Sequence, residues 1–120
     1  MKEVAAKLKL FFSGFGLPAY VRSDIPDEVE LPYIAYDLTV PRWDVQSNIS
    51  CQVYYPKNQL GDLLTKADEI RAAIGPGLQI ILSSGYVMLY PADQSDRMSD
   101  DYSESVYIPL IINSYHLPGS

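Results

Sequence analysis

The chain has 120 residues, 48% hydrophobic and 20% charged, with a formal net charge of −6. That length suits one domain able to bury enough surface to fold without a disulfide or a metal. The acidic balance disfavours ordinary DNA or RNA binding, and no apolar run approaches the ~18 residues of a membrane-crossing helix.

Residues 2–13 read as an amphipathic helix, with Val4, Leu8, Phe11 and Phe12 at helical spacing and Gly14 and Gly16 ending it. Glu3, Lys7 and Lys9 interrupt what would otherwise resemble the apolar core of a signal peptide, so an intracellular protein is expected. A short strand is expected at 19–22, then a polar loop at 23–30. The segment 31–40, "LPYIAYDLTV", alternates as a strand. Ile34, Tyr36, Leu38 and Val40 take one face, and Tyr33, Ala35, Asp37 and Thr39 the other. After a turn at 41–44, a second strand covers 45–55, with Ile49, Cys51, Val53 and Tyr55 opposite Ser50, Gln52 and Tyr54.

The second helix, 57–74, carries a stripe of Leu60, Leu63, Leu64, Ala67, Ile70 and Ile74. "GPG" (75–77) ends it, with glycine at a left-handed cap and proline just beyond. "LQIIL" and "YVMLY" form a hairpin about Ser83-Ser84-Gly85. Residues 91–101 read as a long polar loop, and a last strand spans 102–115. Pro109 inside that strand predicts a sheet edge or a bulge.

Helices and strands do not alternate regularly. The expected fold is α+β, a single domain over 1–120, with a mainly antiparallel β-sheet and two amphipathic helices packed on one face. All ten tyrosines fall outside the helices. Neighbours such as Tyr54 and Tyr55 point to opposite faces of a strand, so some rings must sit outside the core. Strand propensity explains many of them. Tyrosine is also enriched at protein interfaces, which makes Tyr33 and Tyr54 candidate subunit contacts.

Catalytic equipment is sparse. His116 lies near the end of the chain, where precise geometry is hard to hold. The lone Cys51 fits a buried strand position. No phosphate-binding loop, dinucleotide fingerprint, nucleophile elbow, HExxH or CxxC pair is present, so no enzyme activity and no cofactor are expected. Asp93, Asp96, Asp100, Asp101 and Glu104 form an acidic constellation around Arg97. Its spacing is not that of an EF-hand, so a solvated loop is expected there and no metal site. The two helical segments hold six of the nine basic residues but four of the fifteen acids, which leaves the negative charge on strands and loops.

Several stretches carry a family resemblance: "MKEVAAKLKLFFSGFGLPAYV" at the start, "DEVELPYIAYDL" at 27–38, "CQVYYP", "LLTKADEIRAAIGPG" at 63–77, and "YIPLIINSYH" at 107–116. Together they resemble the tail-terminator or tail-completion proteins of long-tailed bacteriophages and prophages, minor capsid proteins of the neck region. The resemblance implies a homo-oligomeric ring, six subunits being the expected number, assembled in the bacterial host cytoplasm and located in the virion. Such a ring caps the tail tube protein and offers a surface to the head-completion or connector protein. DNA passes through without specific binding, and no membrane is involved. The acidic residues 93–104 would then face the lumen or the tube, where negative charge repels phosphates. Two other readings stay open: within the resemblance, a head-closure or other neck connector protein, and on the residues alone, a monomeric acidic protein-binding module.

Overall fold

Alternating strands and striped helices assemble here around one sheet. The computed structural model describes residues 2–38 and 46–116, and the side chains of Lys2 and His116 fall outside that description. In chain order the elements are α1 (Lys2–Ser13), β1 (Ala19–Val21), a 3-10 turn (Arg22–Asp24), β2 (Tyr33–Tyr36), β3 (Gln46–Pro56), α2 (Leu60–Ile74), β4 (Leu78–Ile81), β5 (Gly85–Pro91), β6 (Asp96–Ser99) and β7 (Ser103–His116). The strands lie in the order β1-β2-β3-β7-β5-β4, with β6 also on β7. Among the described residues only β1 and β2 pair in parallel. This is the α+β fold that the sequence predicts.

One face of the sheet carries the core. Ile34 and Tyr36 of β2, Ile49, Cys51 and Val53 of β3, Val106, Ile108, Leu110 and Ile112 of β7, and Val87 and Leu89 of β5 are buried together. Both helices cover that face. α1 contributes Val4, Leu8 and Phe12, and the Phe12 ring stacks on Tyr36 at 4.6 Å between centroids. α2 contributes Leu63, Ala67, Ile70 and Ile74. Leu64, placed in the same stripe by sequence, is instead 41% exposed. One residue of helix turns a side chain by about 100°, which carries Leu64 out of the narrower seam that 63, 67, 70 and 74 define.

Several element bounds depart from expectation for identifiable reasons. The ladder of β2 ends at Tyr36, although Asp37 N–H still donates to the Ser50 carbonyl at 2.9 Å. Thr39, Val40 and the turn at 41–44 lie outside the described residues. α2 starts at Leu60 because Asn58, at φ +76°, makes the turn out of β3. Gly75 has the positive φ expected of the helix end, but with φ +56° and ψ −141° it is not left-handed helical; it occupies a region essentially open only to glycine. The supposed loop 91–101 contains β6, paired with 104–107 of β7.

Pro109 explains how that arrangement closes. It sits in the central strand β7, not at a sheet edge. β5 pairs with β7 as far as Leu110, and β6 resumes pairing at Tyr107. Residues 92–95 bulge out opposite 108–109, with Ala92 N–H donating to the Pro109 carbonyl at 3.2 Å. The proline's missing donor therefore faces the interruption and costs the ladder no bond. Of the two sequence-based alternatives, the bulge is the one adopted.

Ile70→Ala should destabilise the fold by about 2–5 kcal/mol in denaturant unfolding, whereas Leu64→Ala should cost under about 1 kcal/mol. Equal costs would contradict the packing of α2 described here.

Candidate functional site

The face opposite the helices is where the tyrosines gather. Pairing register fixes the side on which each residue lies. Tyr20, Ala35, Gln52, Tyr107 and Asp96 form one cross-sheet row, and Tyr33, Tyr54, Ser105 and Met98 the next. Further across, Tyr86 pairs with Tyr115, and Tyr90 with Ile111. Seven of the ten tyrosines thus project from this outer face. Tyr36 and Tyr55 lie in the core, and Tyr102 lies on the β6–β7 turn.

The tyrosines form two groups. At one end Tyr33 and Tyr54 stack at 4.7 Å and 19°, and Tyr20 meets Tyr33 edge-on at 6.1 Å. At the other, Tyr86 and Tyr115 stack at 4.9 Å, and Asn113 donates to the Tyr115 hydroxyl at 3.3 Å. Rings stacked on each other occupy one another's faces and leave edges and hydroxyls for a neighbour. Burial raises the Tyr33 hydroxyl above its ordinary value, with smaller contributions from Tyr54 and Asp100. It is a neutral donor and acceptor at physiological pH.

Beside the first group lies a partly buried polar network. Arg22, on the turn after β1, donates through Nε to Asp37 Oδ1 at 2.9 Å, through Nη1 to Gln52 Oε1 at 3.1 Å, and through Nη2 to Ser50 Oγ at 3.2 Å. Ser50 Oγ donates to Asp37 Oδ2 at 2.7 Å. Gln52 Nε2 donates to Ser105 Oγ at 2.9 Å and to Met98 Sδ at 3.7 Å. Ser50, Gln52 and Ser105 are all buried, yet each is satisfied. Burial pushes the Asp37 carboxyl up, but the bonds from Ser50 and Arg22 outweigh it and hold the carboxyl below its ordinary value. Such a network locks strands together. With Arg22 committed on three sides, it has no reactive group to offer.

The acidic constellation is dispersed. Asp93 lies on the bulge, Asp96 in β6, Asp100 and Asp101 in the β6–β7 turn, and Glu104 in β7. Asp100 has a structural task. Its Oδ1 accepts from the N–H groups of Tyr102 and Ser103 at 2.8 and 2.7 Å, and its Oδ2 from Ser103 Oγ at 3.0 Å. Those bonds lower its pKa, the Tyr102 N–H most of all. Among the described residues, no group of His, Cys, Asp and Glu side chains is close enough to hold a metal ion. Cys51 is buried in the core, and burial pushes its thiol up to about 12, so it behaves as a small hydrophobe. The side chain of His116 lies outside the described residues. No helix among the described residues is long and apolar enough to cross a membrane.

Arg22 is the functional-face residue that sequence reading misses. Ser50 and Gln52, polar positions alternating with Cys51 and Val53, were the visible half of the signal. The other half needs the parallel β1–β2 pairing, which brings Arg22 beside Asp37. No family model matches the chain, and no curated protein matches it.

The network makes stability depend on acid in a defined direction. A carboxyl whose folded pKa is depressed contributes stability above its unfolded value of about 4, and that contribution is lost as pH falls through the folded value. Asp37 and Asp100 both have this sign. The melting temperature should therefore drop on acidification below about pH 4, and Asp37→Asn should lower it at pH 7 while flattening its acid dependence. A variant as acid-sensitive as the parent would remove Asp37 from this account.

Proposed function

We propose that this chain is an assembly protein of a long-tailed bacteriophage or prophage, a tail terminator whose subunits close into a ring on the end of the tail tube. The reading starts from the family resemblance of the strand and helix segments. The observation that carries it is the two-sided sheet: one face sealed by α1 and α2, the other presenting seven tyrosines around a rigid polar network. A surface rich in tyrosine edges and hydroxyls, on strands that cannot shift, suits protein–protein contact. Repeated heterologous contacts between identical subunits close into a ring when the rotation per subunit fits.

In this reading the terminator works by shape. One side of the ring matches the tube's end, and the other recruits no further tube subunits and receives the head-completion or connector protein. The acidic strand β6, with Asp96, faces the lumen or the tube, so that passing DNA meets like charge. A head-closure or other connector protein of the same neck region is the second reading, since it would use the same surfaces against a different neighbour.

Two measurements test this. Native mass across protein concentration, with negative-stain images of the same samples and added tail tubes, should give rings with a central hole that bind the tube end. Tyr33→Ala and Tyr54→Ala should weaken ring formation while thermal unfolding stays cooperative. Rings unaffected by either change would take these tyrosines out of the contact. Charge reversal is best made at Asp96, because Asp100 holds the turn and Asp101 lies at its tip. Lysine there should slow DNA passage or spoil attachment, and normal infectivity would show that β6 does not face the DNA path or the tube.

A further inference from the structure

Two features remain that the outer face does not use. The first is Tyr102, at the tip of the β6–β7 turn, 84% exposed and preceded by Asp100 and Asp101. An aromatic ring this exposed gains nothing for its own fold. Its backbone is nevertheless held in place: Asp100 accepts the Tyr102 N–H, and Asp100 N–H donates to the Ser103 carbonyl at 2.9 Å. The ring is thus presented on a preformed support, which lowers the ordering cost of docking it.

The second is a recess of about 170 Å³ where α2 ends beside the 92–95 bulge. Its floor is apolar, from Ile74, Leu110 and Pro109, and its rim carries Arg71, Asp93 and Ser95. Arg71 Nη2 donates to the exposed Asp68 at 2.6 Å on one side of the guanidinium. A carboxylate approaching from the solvent side meets a cation already at the rim.

We propose that Tyr102 of one subunit docks in this recess of the next. The occupant is a second copy of this chain, and the contact is the head-to-tail step of the ring; the inference rests on the assembly reading above. The ring fills the apolar floor, its hydroxyl donates to Asp93, and Asp101 beside it pairs with Arg71. A chain cannot satisfy its own recess, since Tyr102 and Leu110 lie roughly 25 Å apart along extended β7 at ~3.3 Å per residue. Knob and recess are different patches, so the contact is heterologous and each subunit uses both.

The test measures self-association of the full chain by sedimentation and native mass. Tyr102→Ala should melt like the parent, because the ring is exposed, yet weaken association about 30-fold or more, as expected of a central aromatic anchor. Ser95→Trp, which fills the recess, should do the same. A mixture of these two variants should give one-to-one dimers and nothing larger, since the pair retains one intact knob and one intact recess. Asp101→Arg and Arg71→Asp should each weaken association, and the double variant should recover much of it. If the parent chain forms rings and Tyr102→Ala forms them equally well, this contact is wrong while the assembly reading stands. If the parent stays monomeric at every concentration, with tail tubes present or absent, both fall.

Discussion

The antiparallel seam between β3 and β7 is the constraint on which the rest of the molecule depends. It runs in unbroken register from the Gln46–Asn113 pair to the Pro56–Ser103 pair. Every other strand attaches to it directly or through one neighbour, and both helices pack across its core side. A slip of one residue would bring Ser50 and Gln52 inward and send Cys51 and Val53 out. The two strands are far apart in sequence, with α2, β4, β5 and β6 between them. Closing the seam therefore orders a long loop before its contacts are gained, and a slow folding nucleus is the expected result.

The outer side of the same seam enforces register by different physics. Hydrophobic burial is tolerant of direction, whereas hydrogen bonds are not. Arg22 ties the turn after β1 to β2 and β3 at once, and Gln52 reaches from β3 to β7 and β6. Five strands or their flanks are thus fixed in relative position by one satisfied polar cluster. The tyrosine groups on either side inherit that rigidity. A recognition surface built this way loses little side-chain freedom when it meets a neighbour.

Much of this was legible in the sequence, because period-two and period-3.6 patterns report directly on burial. The alternation in 45–55 separated Cys51 and Val53 from Gln52 and Tyr54 correctly, and the α2 stripe located the helix-covered face. The hairpin about Ser83-Ser84-Gly85 followed from turn chemistry alone, and it is further held by Glu3, whose carboxylate accepts from Ser83 N–H and Oγ. What escaped was tertiary. β6 is exposed at every position, so no alternation marks it as a strand; only its partner β7 makes it one. Asp100 looked like one charge among several, yet three bonds make it a turn residue. The network of Arg22 joins residues whose neighbourhood exists only after the sheet has formed.

The break opposite Pro109 divides the far edge of β7 into two panels of unequal strength. The β5 panel is backed by β4, by buried Val87 and Leu89, and by the link from Glu3 to Ser83. The β6 panel pairs with β7 and is tied beyond it by the long Gln52–Met98 contact, with every residue of β6 solvated. Opening β6 exposes almost no apolar surface, so it sits at the low end of the local unfolding scale, while β5 opens only with the core. The crease at 92–95 therefore separates the two panels: β6 can part from β7 without breaking a β5 bond, and the helices on the other face keep their contacts.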